Sequence, residues 1–120
     1  MEGFKNRGSP RDPTAEPERR EALSVSRAAL RKEGFAVSAT GATDRAPGGV
    51  RPELVATNGS RVVQVLVLLD SEIDSEKTRQ RIRRRYRLGE TRVFVRWPLR
   101  WRMLSNVARW GLRGVAVSTW

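Results

Sequence analysis

Residues 51–69, RPELVATNGSRVVQVLVLL, contain the strongest structural signal in this chain. Two runs rich in strand-forming residues flank the dipeptide Asn58-Gly59, which favours the type I′ turn of a two-residue β-hairpin. The second run is apolar throughout residues 62–69 except for Gln64, as is typical of a central strand that is buried on both faces of a sheet. The stretch therefore predicts a tight hairpin whose second strand lies at the centre of a sheet.

Helical and strand patterns alternate on either side of this hairpin. Three further segments show helical spacing of apolar residues, and three short runs indicate further strands. In chain order, the predicted elements are a helix over residues 15–33, strands over 36–40, 51–57 and 61–69, a helix over 70–88, a strand over 91–96, a helix from Pro98 to Gly111 and a strand over 115–120. This α-β-β-β-α-β-α-β order predicts an α/β (α+β mixed) fold, with a mixed central sheet of about five strands flanked by helices.

Composition limits the chemistry of this chain. Its 120 residues fit a single domain over residues 15–120, after a tail of residues 1–14 that we expect to be disordered. Cysteine and histidine are absent, which excludes disulfides, cysteine-ligated zinc and imidazole-based nucleophile systems. No apolar run is long enough for a bilayer, and residues 1–20 lack the apolar segment of a signal peptide. We therefore expect a soluble, cytoplasmic protein with no membrane partner.

The positive charge of the chain is large and concentrated. Its 24 Lys and Arg against 13 acids give a net charge of +11, and residues 77–87, KTRQRIRRRYR, contain seven cations and no acid. Folding does not need such a field, and self-repulsion opposes compaction, so the tract indicates a polyanionic partner, DNA or RNA. An acidic protein partner and a solvated helix face are the alternatives. The predicted phosphate-contacting residues of this tract are Lys77, Arg79, Arg81, Arg83, Arg84, Arg85 and Arg87.

A second candidate binding segment, residues 96–102 (RWPLRWR), interleaves arginine with tryptophan. Phosphate contacts combined with aromatic stacking are what single-stranded nucleic acid requires of a binding surface. In the alternative interpretation, the two indoles cap the core and arginine stems pack over them. The predicted contact residues of this segment are Arg96, Trp97, Arg100, Trp101 and Arg102.

The element order resembles that of the PD-(D/E)XK (restriction endonuclease-like) nuclease superfamily over residues 16–120. Pro52-Glu53 at the start of the second strand, the tight hairpin and the apolar third strand support this resemblance. It implies that an acid on strand two and an acid-x-Lys, or acid-x-acid, on strand three bind magnesium and orient a water, sometimes with help from a glutamate on helix one. Carboxylates suit this role because magnesium prefers oxygen ligands.

Carried over residue by residue, the resemblance gives an incomplete catalytic site. Glu53 stands for the strand-two acid, and Glu21 on the first helix is the candidate assisting acid. The strand-three positions fall on residues 64–66 (QVL) or, in another register, on residues 66–68 (LVL). Neither tripeptide contains a carboxylate or a lysine, so the resemblance is to a degenerate member of the superfamily.

The predicted hairpin register leads to the same result. If Thr57 pairs with Ser60 across the turn, Glu53 lies opposite Gln64, and that face of the sheet has no second charge. A metal ion there would depend on Glu53 alone. Asp70, just past the strand, is the only acid that could substitute, but it fits better at the start of the next helix. The candidate catalytic residues are Glu53, Gln64 and Glu21, with Glu53 the candidate metal ligand.

Three functions follow from these observations. We favour a nucleic-acid-binding, non-catalytic PD-(D/E)XK-like domain that needs no cofactor. The enzyme alternative is a magnesium-dependent nuclease that uses Glu53 with Glu21 or Asp70, and only then is Mg²⁺ a cofactor. The third is an assembly subunit that docks an acidic protein partner through its basic helix. The terminal strand and the narrow apolar stripes of the helices leave room for a homodimer.

Overall fold

Helices and strands alternate along the chain in the predicted order, α-β-β-β-α-β-α-β. The structure is a computed structural model that describes residues 15–39 and 54–120. Its elements are α1 (Ala15–Lys32), β1 (Ala36–Ala39), β2 (Leu54–Asn58), β3 (Arg61–Val67), α2 (Glu76–Leu88), β4 (Thr91–Val95), α3 (Arg100–Arg109) and β5 (Ala116–Thr119). None of the helices within these two ranges is both long enough and apolar enough to cross a membrane.

The five strands form one mixed sheet in the spatial order β1-β2-β3-β4-β5. Strands β1, β2 and β3 are antiparallel neighbours, whereas β3, β4 and β5 run parallel to one another. Because parallel neighbours need a crossover connection, α2 links β3 to β4 and α3 links β4 to β5. The predicted mixed sheet of five strands flanked by helices is confirmed.

Strand β3 is the centre of two hydrophobic cores, one on each face of the sheet. Val63, Val65 and Val67 point to the α1 side, where they pack with Ala22 and Leu30 of that helix. Alternate residues point to the α2–α3 side, because successive side chains of a strand face opposite ways. The core on that side consists of Leu66, Leu68, Ile73, Ile82, Val93, Val95, Met103, Val107, Leu112 and Val115. The prediction that the apolar third strand is buried on both faces is confirmed for residues 65–69, whereas Val62 at its start is 46% exposed.

Helix α1 ends where the sequence predicts, just before Gly34. The Gly34 amide donates to the Arg31 carbonyl at 2.9 Å, and the Phe35 amide donates to the Leu30 carbonyl at 3.0 Å. This pair of bonds is a Schellman motif, which satisfies carbonyls that the helix end would otherwise leave unpaired. Phe35, only 5% exposed, then packs into the core on the α1 side.

The hairpin turn lies one residue later than predicted. Asn58 pairs with Arg61, so Gly59 and Ser60 form the two-residue loop, and the predicted pairing of Thr57 with Ser60 is wrong. A type I′ turn at Asn58-Gly59 would need positive φ at both residues, but only Gly59 has it, at +63°. Glycine followed by a residue with negative φ is the pattern of a type II′ turn, which also matches the twist of hairpin strands.

The shifted turn changes the residue that lies opposite Gln64. In the structure Gln64 pairs with Val55, not with Glu53 as predicted. The shift between the two registers is two residues, so each side chain keeps its predicted face of the sheet. Glu53, like residues 1–14 and the start of the predicted second strand, lies outside the described residues.

Helix α2 begins later than its acidic residues suggest. Asp70–Glu72 forms a separate 3-10 turn, and the α-helix starts after Ser75, whose hydroxyl accepts a hydrogen bond from the Thr78 amide at 3.1 Å. Serine is a strong N-cap residue because its side chain satisfies an otherwise unpaired amide of the first turn. The helix ends at Leu88, before Gly89, as predicted.

Pro98 lies in a 3-10 turn, Trp97–Leu99, that leads directly into α3, so the α-helix itself begins two residues later than predicted. Proline suits such a first turn because its missing amide hydrogen would have no helical partner there. The last loop before β5 packs against α2, since a Cβ added to Gly114 would lie 2.2 Å from the Tyr86 hydroxyl oxygen. Any larger residue at position 114 would therefore displace the Tyr86 side chain.

Candidate nucleic-acid interface

The two helical layers of the domain differ in charge. Residues 70–89 and 96–114, which contain α2 and α3, hold twelve Lys or Arg and four acids. Residues 15–33, which contain α1 on the opposite face of the sheet, hold five Lys or Arg and four acids. Most of the excess positive charge therefore lies in the α2–α3 layer, where it forms a field on one side of the molecule.

The outer face of α2 presents four exposed cations, Lys77, Arg83, Arg84 and Arg87. At 100° per residue they fall within about 120° of the helix circumference, and at 1.5 Å per residue they span about 15 Å along its axis. Within the described ranges 15–39 and 54–120, no hydrogen bond or ion pair joins the side chain of any of them to another residue. We call this set the α2 cation face.

The remaining predicted cations of α2 flank its buried side. Arg79, Arg81 and Arg85 are half-buried beside Ile82, the apolar residue that anchors the helix on the sheet. The Arg79 guanidinium also forms an ion pair with Glu76 at 3.0 Å. A helix cannot direct seven cations to one side, and the structure divides the predicted set into four outward-facing residues and three flanking ones.

Two tryptophan side chains are exposed to solvent just after the carboxyl end of β4. Trp97 is 70% exposed and Trp101 is 73% exposed, so the interpretation that they cap the core is wrong. The Arg100 guanidinium carbon lies 5.2 Å from the centre of the Trp101 ring, within the range of a cation–π interaction. By contrast, Trp110 and Trp120 are partly buried and pack against the two cores.

Two of the predicted contact residues next to these indoles already have acidic partners. Arg96 Nε donates to both carboxylate oxygens of Asp70 at 3.0 Å, and this bond, together with the charge of Asp70, raises the pKa of Arg96. Arg102 Nε donates to Asp74 at 3.2 Å. Both pairs are exposed to solvent, which screens their charges, so we expect each to contribute little to stability. Each arginine is next to one of the exposed indoles in the sequence.

Asp74 joins α3 to the segment that precedes α2. The Asn106 side-chain amide donates to Asp74 at 2.8 Å and to the Ile73 carbonyl at 2.9 Å. The bond from Asn106, followed by the interaction with Arg102, lowers the pKa of Asp74. Sequence reasoning did not identify Asn106, although a buried polar residue within the apolar stripe of a helix is the signal that could have revealed it.

The Asp74→Asn variant is expected to lose about 0.5–1 kcal/mol of stability at neutral pH, because the exposed site limits the strength of its charged contacts. The folded-state pKa of Asp74 is below its unfolded value, so its contribution is present above about pH 4 and is lost as the pH falls through the folded-state pKa. Urea unfolding of both proteins at neutral pH and near pH 2 measures the difference. A gap that stays constant at acidic pH would contradict this assignment.

The candidate catalytic residues do not form a common site in the described structure. Gln64 is half-buried and alternates with Val63 and Val65, which places it on the α2–α3 side, whereas Glu21 is exposed on α1, on the other side of the sheet. Asp70 is in the ion pair with Arg96. Among residues 15–39 and 54–120, no group of three or more acidic side chains could hold a metal ion.

The chain was compared with models of protein families, with curated proteins and with solved structures. None of them matches it. The α2 cation face and the exposed indoles are therefore the features of the described residues on which a functional proposal can be based.

Proposed function

We propose that this domain binds nucleic acid through the α2 cation face and is a non-catalytic relative of the PD-(D/E)XK nucleases. The observation that supports binding is the presence of four exposed cations on one helix face with no acidic partner among the described residues. Their span of about 15 Å corresponds to about four steps between successive phosphates of one strand, which repeat every 3.4 Å along the duplex axis.

Arginine dominates this face and suits phosphate better than lysine does. Three of its four members, Arg83, Arg84 and Arg87, present planar guanidinium groups that form paired hydrogen bonds to phosphate oxygens. A face that only solubilised the helix would intersperse acids with cations, as stable surface helices commonly do. The sequence from Lys77 onward has no acid before Glu90, and this absence favours a polyanionic ligand over a simple solvated face.

The element order and the central apolar strand support the relationship to the nuclease superfamily, and the residues of β3 support the loss of catalysis. Arg61–Val67 offers neither a carboxylate nor a lysine, and its one polar side chain in the predicted dyad, Gln64, is a poor magnesium ligand compared with a carboxylate. Glu21 lies on the other side of the sheet from Gln64 and cannot complete a site with it. Binding without cleavage is the function that this arrangement favours.

The proposal predicts a steep salt dependence for binding of a mixed-sequence duplex. Three or four phosphate contacts release three or four counterions, so log affinity should fall against log salt with a slope of about −3 to −4. Fluorescence anisotropy of a labelled duplex across a salt series measures the slope. The same mixtures supplied with Mg²⁺ or Mn²⁺ should leave the duplex uncut, and wild type and Glu53→Ala should behave alike.

A slope near zero would contradict phosphate binding by this face. Absence of any binding at about 0.15 M salt would also overturn the proposal and would favour an acidic protein as the partner of α2. Cleavage by wild type that Glu53→Ala abolishes would support the nuclease alternative instead.

A further inference from the structure

The exposed indoles suit a different part of a nucleic acid from the α2 cation face: aromatic rings stack on bases, whereas cations bind phosphates. Trp97 begins the 3-10 turn that leads into α3, and Trp101 lies in the first turn of α3, so the two indoles are close along the chain at the start of this helix. Each exposes about three quarters of its surface, and a flat aromatic ring in solvent is a platform on which a nucleobase stacks. Bases inside a duplex are already stacked on each other, so only unpaired bases can use such a platform.

The charge around the indoles favours bases over an apolar protein or lipid partner. Arg100 lies against the Trp101 ring. Two further arginines, Arg96 and Arg102, flank the indoles in sequence, and each pairs with a single acid, so three guanidinium groups face two carboxylates here. A guanidinium on one face of the ring leaves the other face for a base, and it strengthens the interaction with an attached phosphate. An apolar ligand would have to desolvate this cation without compensation.

The two surfaces lie at different places on the same side of the domain. Parallel strands end at the same edge of the sheet, so the residues that follow β3 and β4 are neighbours, and the bond from the Trp120 indole to the Leu68 carbonyl, at 3.0 Å, places the end of β5 there as well. The indoles are at this edge, and α2 starts near it and runs away from it. Lys77 is therefore the nearest member of the α2 cation face, and Arg87 is about 15 Å further along the axis.

We propose that the ligand is a duplex that carries a single-stranded extension, with the duplex phosphates on the α2 cation face and the first unpaired bases stacked on Trp97 and Trp101. This inference rests on the proposed nucleic-acid binding and specifies its substrate class. A blunt duplex uses the cations alone, and a single strand without secondary structure cannot present the regular phosphate spacing that α2 spans. A ligand with both parts engages both surfaces at once.

The test compares three kinds of labelled ligand at about 0.15 M salt. They are a blunt duplex of about two helical turns, the same duplex with a single-stranded 3′ or 5′ extension of about six nucleotides, and the isolated single strand. Wild type should bind the extended duplex at least about tenfold more tightly than the blunt one, the gain expected from stacking one or two bases. Trp97→Ala/Trp101→Ala should bind both duplexes equally and keep the wild-type affinity for the blunt duplex.

Two further measurements separate stacking from folding and from charge. Trp97→Phe/Trp101→Phe should retain most of the preference, because phenylalanine also stacks, and thermal unfolding should show that both double variants fold as wild type does. Equal wild-type affinity for blunt and extended duplexes would overturn this inference and leave the proposed function intact. Binding of the single strand as tightly as the extended duplex would also overturn it, whereas no binding of any ligand would overturn both proposals.

Discussion

Replacement of Arg83, Arg84 and Arg87 by glutamine is expected to weaken duplex binding about 100-fold at 0.15 M salt. A slope of 0.9 per phosphate means that each contact strengthens binding about fivefold at 0.15 M relative to 1 M salt, and three contacts multiply to about 100-fold. The salt slope should become shallower by about 2.7 for the same reason. Glutamine keeps a long polar side chain with good helix propensity, so the helix itself should be unaffected.

The matched control is Arg20→Gln/Arg31→Gln/Lys32→Gln on α1. These three residues are exposed on α1, on the opposite face of the sheet, and their replacement removes the same number of positive charges as the α2 variant does. If binding depends on where the cations are, the control should lose much less affinity than the α2 variant and should keep most of the slope. Equal losses in the two variants would mean that net charge alone determines binding, and the α2 cation face would not be the binding site.

Phe94→Ala should lower the free energy of unfolding by about 3–5 kcal/mol, the largest stability effect that we expect from a single substitution. Phe94 is 1% exposed on β4, next to Val67 of β3, and it is part of the core that α1 covers. Removal of its ring leaves a cavity that rigid neighbours on both strands cannot fill. The expected loss is a large fraction of the roughly 5–15 kcal/mol that stabilises a typical domain.

Denaturant unfolding measures this loss as a lower midpoint at an unchanged slope. Leu88→Ala is the control, because Leu88 is a large apolar residue that is 65% exposed, and its truncation should change stability by no more than about 0.5 kcal/mol. A loss below about 1 kcal/mol for Phe94→Ala would show that α1 does not pack on the sheet as described.

The sequence predicted the fold well because strong local signals coincide with the element boundaries. The apolar run of β3, the stop at Gly34 and the stop at Gly89 act over a few residues, and neighbouring positions are enough to identify them. The hairpin turn was misplaced by one residue because Asn58-Gly59 and Gly59-Ser60 are both acceptable turn dipeptides. Only the backbone conformation distinguishes them.

The candidate site was harder to predict because the residues that contact one another there are far apart in the sequence. The ion pairs Arg96–Asp70 and Arg102–Asp74 join residues that are 26 and 28 positions apart, and helical spacing gives no indication of them. Exposure of the indoles has a similar cause, since a tryptophan at the start of a helix can face either the core or solvent. Only the packing of α3 on the sheet determines which.

The unequal charge of the two helical layers also affects how the domain is oriented before it contacts a charged partner. A domain with its cations on one side has a large electric dipole moment, and the field of an approaching polyanion exerts a torque that turns that side toward it. For the proposed binding to nucleic acid, we therefore expect collisions with the α2 cation face toward the ligand to be more frequent than chance would give, and the association rate to rise accordingly. Because ions screen this torque beyond a Debye length of about 8 Å at physiological ionic strength, the alignment takes place in the last stage of approach.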